Sequence, residues 1–83
     1  MEYIHMLQPL SALPAGASGT VRVLTATGGP LRRLLDLGLV DGTPVEAAFK
    51  GPSGDPVAYS FRGVLIALRN QDAATVLVEP HAQ

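Results

Sequence analysis

Val57-Ala58-Tyr59-Ser60-Phe61-Arg62-Gly63-Val64-Leu65-Ile66-Ala67-Leu68-Arg69 is the stretch on which the fold turns. Val57, Tyr59 and Phe61 fall on one side of a period-two pattern, with Ala58, Ser60 and Arg62 on the other. Val64, Ile66 and Leu68 continue one face, and Leu65, Ala67 and Arg69 the opposite one. A period of two with branched and aromatic residues is the signature of strands. Gly63, between the two runs, marks a tight connection or a bulge.

Working outward, Gly51 to Pro56 is a loop rich in turn residues, and Thr43 to Lys50 reads as a strand with Val45, Ala47 and Phe49 on one face. Pro44 places it at an edge or at a strand beginning, and Asp41-Gly42 is a turn. A helix is expected over Pro30 to Leu37, because proline suits a first helical position and Leu31, Leu34 and Leu35 form an apolar face. Gly38 is its left-handed stop. Thr20 to Thr27 alternates as a strand, with Val21 and Val23 opposite Thr20, Arg22 and Leu24. Before it, Leu10 and Leu13 dock from a short helical turn around Pro9 to Leu13. After Arg69, Asn70 is expected to cap a single turn reaching Ala74, and Thr75 to Glu79 forms the last strand, with Val76 and Val78 inward. Pro80 ends it, leaving His81 to Gln83 as a fraying tail. The expectation is one mainly β domain over residues 1–83, a small barrel of about five strands with a short helix inserted after the first.

Composition narrows the function. Of the 83 residues, 47% are apolar and only 16% charged, which excludes a disordered tail. The longest apolar run, Val64 to Leu68, is far short of the ~20 residues of a bilayer span. Met1-Glu2-Tyr3-Ile4-His5 shows no basic region ahead of an apolar stretch, so no secretory signal is read and a cytoplasmic location is expected. The absence of cysteine removes disulfides, thiolate catalysis and iron–sulfur ligation. Six Lys plus Arg against seven Asp plus Glu, with four aromatic residues and no Trp, give neither a phosphate-binding excess nor a base-stacking platform. Nucleic acid is not an expected partner.

Candidate chemistry is sparse. His5 and His81, the two imidazoles, lie near the chain ends, where Glu2 and Glu79 are the nearest acids. A metal site needs three or four converging ligands, so exposed terminal histidines are the preferred reading, with no metal site and no cofactor assigned. Asp41 and Asp55 are explained as turn residues. Ser53, in Gly-Pro-Ser-Gly, lacks a nucleophile elbow, and Gly28-Gly29-Pro30 lacks the Lys-Ser/Thr ending of a phosphate loop. No enzyme is expected. Arg32 and Arg33 stand in the first turn of the expected helix, where the dipole disfavours cations, and Arg32 precedes Asp36 by four residues in the weaker orientation. They imply contact with an acidic partner, an ion pair tying the helix to the barrel, or stems that merely cover leucine surface. Arg69 is read as a local ion pair with Asp72 or as a cap, and Arg62 similarly. Leu24, Ala58, Leu65, Ala67 and Leu77 point away from the barrel centre, and whatever remains uncovered is a partner surface.

The run Leu31-Arg32-Arg33-Leu34-Leu35-Asp36-Leu37-Gly38-Leu39-Val40-Asp41-Gly42-Thr43-Pro44-Val45 strongly resembles the FeoA family. So do Gly54-Asp55-Pro56-Val57-Ala58-Tyr59, and Gly63 followed by Ile66-Ala67-Leu68-Arg69 and Asp72-Ala73. The three are in register from about Leu10 to Val78. Asp41 stands where the family often has proline, and Asp-Gly also turns well. The resemblance implies an SH3-like barrel with an inserted helix. It also implies a cytosolic accessory role beside FeoB, the membrane ferrous iron transporter with a cytosolic GTP-binding domain. A similar domain ends the iron-dependent repressors; no DNA-binding helix pair precedes it here, so a stand-alone FeoA is the expected match. Family usage of "transition-metal binding" finds no ligand cluster in this sequence.

Three functional expectations follow. The first is a non-enzymatic regulator that touches the cytosolic part of a FeoB-like transporter through Arg32, Arg33, Asp36, Leu65 and Arg69, with a weak homo-oligomer left open and no insertion into the membrane. The alternative is a metal sensor like the repressor domain, which needs His5, His81 and acids such as Glu2 or Glu79 to converge. The third is a binder of proline-rich peptides, which needs Tyr3 and Tyr59 exposed side by side.

Overall fold

The computed structural model describes residues 6–82. Its elements are β1 (Gln8–Pro9), a 3-10 turn (Leu10–Ala12), β2 (Ser18–Leu24), α1 (Gly28–Leu37) and β3 (Pro44–Lys50). There follow β4 (Val57–Phe61), β5 (Val64–Leu68), α2 (Asn70–Ala73) and β6 (Val76–Pro80). The strands form one antiparallel sheet in the order β1-β6-β2-β3-β4-β5. The expected five strands are present, joined by the two-residue β1. Among the described residues the sheet ends at β1 and β5 and is not closed into a barrel by strand pairing. One reason lies in β1: it is two residues long, and Pro9 has no amide to donate to a further strand.

A single core fills one side of the sheet. Leu10, Leu13, Val21, Val45, Val57, Tyr59, Phe61, Leu68, Val76 and Val78 are all buried in it. The alternation read from the sequence holds through β4 and fails twice elsewhere, each time at a bulge. On β2, Val21 pairs with Val78 but Val23 with Leu77, so Arg22 is an extra residue. The pleat is reversed beyond it: Val23 turns outward and Leu24 packs on the core. On β3, Ala47 pairs with Tyr59 and Phe49 with Ala58, leaving Ala48 extra. Phe49 therefore faces outward, 57% exposed, contrary to its expected place beside Val45 and Ala47. On β5, Val64 is half exposed because it flanks the turn at the sheet's end.

α1 begins two residues earlier than Pro30, with extended Thr27 at the cap position making no side-chain capping bond. Pro30 becomes the third helical residue, still among those whose amides need no intrahelical partner. Its packed face is Leu34 and Leu37, with Leu31 half-buried; Leu35 is 42% exposed. Of the three expected leucines, Leu35 is thus displaced by Leu37. Gly38 ends the helix at φ 106°, and its amide reaches the carbonyls of Leu34 and Leu35. Buried Thr43 donates its hydroxyl to the Gly38 carbonyl at 3.0 Å, satisfying another terminal acceptor.

Candidate interaction surface

β4 and β5 meet through a two-residue turn, Arg62-Gly63, with φ of 53° and 80°. Two successive positive φ angles give the turn whose twist matches a hairpin, so Gly63 marks a tight connection. Across such a turn Phe61 and Val64 form a hydrogen-bonded pair, and pairs alternate from there. Tyr59–Ile66 and Val57–Leu68 are then bonded pairs, while Leu65 and Ala67 turn their backbone N–H and C=O away from β4. Since β5 is the last strand of the sheet among the described residues, those groups face its open edge. Leu65 is 55% exposed, and Ala67 is exposed beside it.

α1 runs along that region. A groove of about 290 Å³ is lined by Arg33 and Leu37 of the helix, by Ile66, Ala67 and Leu68 of β5, and by Arg69 and Asp72. Two fastenings hold the helix there. Arg33 Nη2 donates to Asp72 Oδ2 at 2.6 Å, joining α1 to α2. At the other end Arg62 lies over Gly38, where an added Cβ would come within 2.7 Å of its Cδ. This puts a cation by the helix C-terminus, the favourable end of the dipole.

The expected site residues separate into two groups. Arg33 and Arg69 line the groove, and Leu65 stands on the adjoining strand. Arg32 and Asp36 lie in a different hollow, of about 540 Å³, with Gly28, Gly29, Leu31 and Leu35. Among the described residues neither of these two enters an ion pair. With α1 starting at Gly28, both arginines sit in the second turn, so the expected conflict with the dipole disappears. Arg33 fulfils the reading of an ion pair that ties the helix down. Asp72 is taken by Arg33 and not by Arg69, and Arg62 packs over the helix end instead of forming a local pair.

Other polar features were harder to see in the sequence. Arg22, the bulge residue, reaches Asp41 and Glu79, each at 3.3 Å, and fastens the turn after α1 to β6. Asp55 is more than a turn residue. Its Oδ1 accepts the Asn70 amide at 3.0 Å, so the carboxylate serves the first amide of α2. Arg69, not Asn70, occupies the cap position, in line with the second reading of Arg69, though its side chain makes no capping bond; the Asn70 side chain donates to the Gly54 carbonyl instead. His81 is no fraying tail. Its amide donates to the Ser18 carbonyl, and its ring nitrogens lie 3.0 Å from Ser18 Oγ and 2.7 Å from Thr20 Oγ1.

This bears on metal. The proposed convergence with His5 and Glu2 lies outside the described residues. Among the described residues no group of three or more His, Cys, Asp or Glu side chains is placed to hold an ion. Both His81 nitrogens are hydrogen-bonded and Glu79 is held by Arg22. Tyr59 is 1% exposed, which removes it from any aromatic groove; Tyr3 lies outside the described residues. Burial, with the Asp55 charge second, holds the Tyr59 phenol above its ordinary pKa. Among the described residues no helix is long and apolar enough to cross a membrane.

The FeoA domain model matches residues 8–80. No curated protein matches the chain. Among solved structures, the FeoA-like protein of Clostridium acetobutylicum is 28% identical, with a TM-score of 0.87 over 94% of this chain and 91% of that one. The FeoA protein of Chlorobium tepidum is 35% identical, with a TM-score of 0.84 over 90% of this chain and 71% of that one. Stenotrophomonas maltophilia FeoA, solved with zinc and described as a prokaryotic SH3 domain protein and candidate ferrous iron transport activating factor, is 35% identical. Its TM-score is 0.77, over 86% of this chain and 88% of that one. A manganese-dependent transcriptional repressor, 18% identical over 90% of this chain and 42% of that one, shares the fold at a TM-score of 0.79.

Proposed function

The chain belongs to the FeoA family, and from that premise we propose that it is a non-enzymatic, cytoplasmic accessory protein of ferrous iron uptake. It acts by touching the cytosolic part of a FeoB-like transporter. The observation that carries this reading is the family match over residues 8–80, together with a helix pinned beside an open, apolar sheet edge. Exposed apolar surface rimmed by charge is a common mark of a protein contact. Leu65, Arg33 and Arg69 form the principal contact, and Arg32 and Asp36 extend it along the outer face of α1.

The test is a titration of isotopically labelled protein with the cytosolic part of a FeoB. Chemical-shift changes are expected in α1 and around Leu65. Saturating additions that leave both regions unmoved would sink the placement, and no binding at all would sink the reading. The metal-sensor alternative gains nothing from the repressor likeness, which at 18% identity concerns the fold alone. Calorimetry with ferrous ion is expected to show no saturable heat at micromolar protein.

A further inference from the structure

We propose that the free edge of β5 is a strand-addition site, whose occupant is an extended segment of a partner protein with alternating apolar and acidic residues. This concerns the chemistry of the occupant, whichever protein carries it, and so goes beyond the transporter reading.

Three observations lead there. The first is the backbone. Leu65 and Ala67 present N–H and C=O groups to the open side of β5, and an added strand satisfies them as a sheet neighbour would. The second is the side-chain setting. On the outer face Phe49, Ala58 and Ala67 lie in one cross-strand row, which an incoming residue opposite Ala67 would lengthen. On the groove side, Leu37 and Ile66 offer apolar contact. Both faces of the incoming strand thus meet surface, as strand addition requires.

The third observation is charge, and it selects the occupant. Arg62 stands at one end of β5 and Arg69 at the other, with Arg33 across the groove. Among the described residues Asp72 is the one acid lining the groove, and Arg33 already holds it. The border of the site is therefore positive, although the chain as a whole carries −1. A second copy of the chain is the obvious rival, because β5 could pair with itself. Antiparallel pairing centred on Ile66 would set Arg69 of each copy beside the Arg62-Gly63 turn of the other. Like charges placed across strands destabilise the pair, so self-pairing is disfavoured where an acidic strand is favoured.

The experiment uses the full chain, labelled at its amides and leucine methyls, and a short blocked peptide alternating valine with glutamate. Saturable shifts should appear first at the amides of Leu65 and Ala67 and at the Leu37 methyls. A valine–lysine peptide of equal length should bind at least about tenfold more weakly. Ala67→Pro deletes an outward amide and should weaken the acidic peptide about tenfold without unfolding the chain. Leu65→Pro repeats the test at the neighbouring outward amide. Arg69→Glu, which leaves the backbone intact, should reverse the preference between the two peptides even if neither proline variant folds. The proposal is overturned if millimolar peptide moves nothing at β5, or if both peptides bind alike. It is also overturned if the free protein sediments as a dimer that Arg69→Glu leaves intact and Ala67→Pro dissolves.

Discussion

The two ends of the sheet are built on opposite plans. β1 is two residues, one of them Pro9, and the chain dives at once into the core through fully buried Leu10. β5 is five residues, Val-Leu-Ile-Ala-Leu, with no charge, no proline and two exposed leucine and valine side chains near its start. Short length and proline are the ordinary ways of blunting an edge against unwanted pairing. One edge carries both devices and the other carries neither within the strand. The arginines that flank β5 act differently: they leave the backbone accessible while discriminating by charge against what may pair with it. An edge so arranged is guarded against a second copy and open to an acidic strand.

The sharpest way to break this contrast lies within β5 itself. Ile66 pairs with Tyr59 through its amide, whereas Ala67 does not use its amide toward β4. Ile66→Pro should cost about 3 kcal/mol or more, since it deletes a ladder bond and packed side-chain surface. Ala67→Pro should cost roughly 1–2 kcal/mol, from the constraint on φ alone. Urea denaturation of the two variants checks this, and equal losses would mean that the hydrogen-bond phase of β5 is misassigned. Next in size is the pair Leu10→Ala and Leu65→Ala. The first removes a wholly buried side chain and should cost about 2–5 kcal/mol. The second removes an exposed one and should stay within about 0.5 kcal/mol. If both were equally costly, the open edge would be core after all.

Much of this was legible in the residues. The β4–β5 hairpin was readable because its alternation is unbroken and Gly63 stands at its turn. Gly38 announced the end of α1, and Leu10 and Leu13 announced their burial. The reversals at Val23 and Phe49 were not legible. A bulge at Arg22 or Ala48 needs no glycine, and it is fixed by which residues of the neighbouring strand lie opposite. The start of α1 is not legible for a similar reason: Pro30 suits a first position but is equally free at the third. That two-residue shift moved Arg32 and Arg33 out of the first turn and removed the dipole argument for them. The groove shared by Arg33 and Arg69 depends on bringing α1 beside β5, far along the chain, and no local pattern encodes such a meeting.

The wall opposite the open edge gives a smaller effect. Arg33 is mostly exposed while Asp72 is largely covered, so the pair is worth no more than a surface ion pair discounted for screening. Arg33→Ala should lower stability by about 0.3–1 kcal/mol at low salt, and the difference should shrink in high salt. Thermal melts at the two ionic strengths measure it. A loss that salt does not touch would mean that the aliphatic stem of Arg33, and not its charge, holds α1 in place.

The smallest effect, nil at neutral pH, concerns the strand just behind the open edge. Tyr59 faces the core from β4, opposite Ile66, and burial followed by the Asp55 charge raises its phenol pKa. A raised phenol pKa means that folding favours the neutral form. The contribution is complete below the unfolded value of about 10 and is lost as pH climbs through the folded one. Stability should therefore fall on the alkaline side, and Tyr59→Phe should remove that part of the fall. Phenolate absorbance should show one tyrosine ionising later than an unperturbed phenol, and Tyr59→Phe should delete that late step. A phenol that ionises at its ordinary pKa would show that water reaches the core through the β5 edge. In that case the backbone of Leu65 and Ala67 would border a wet cleft, and an added strand would gain little from pairing there.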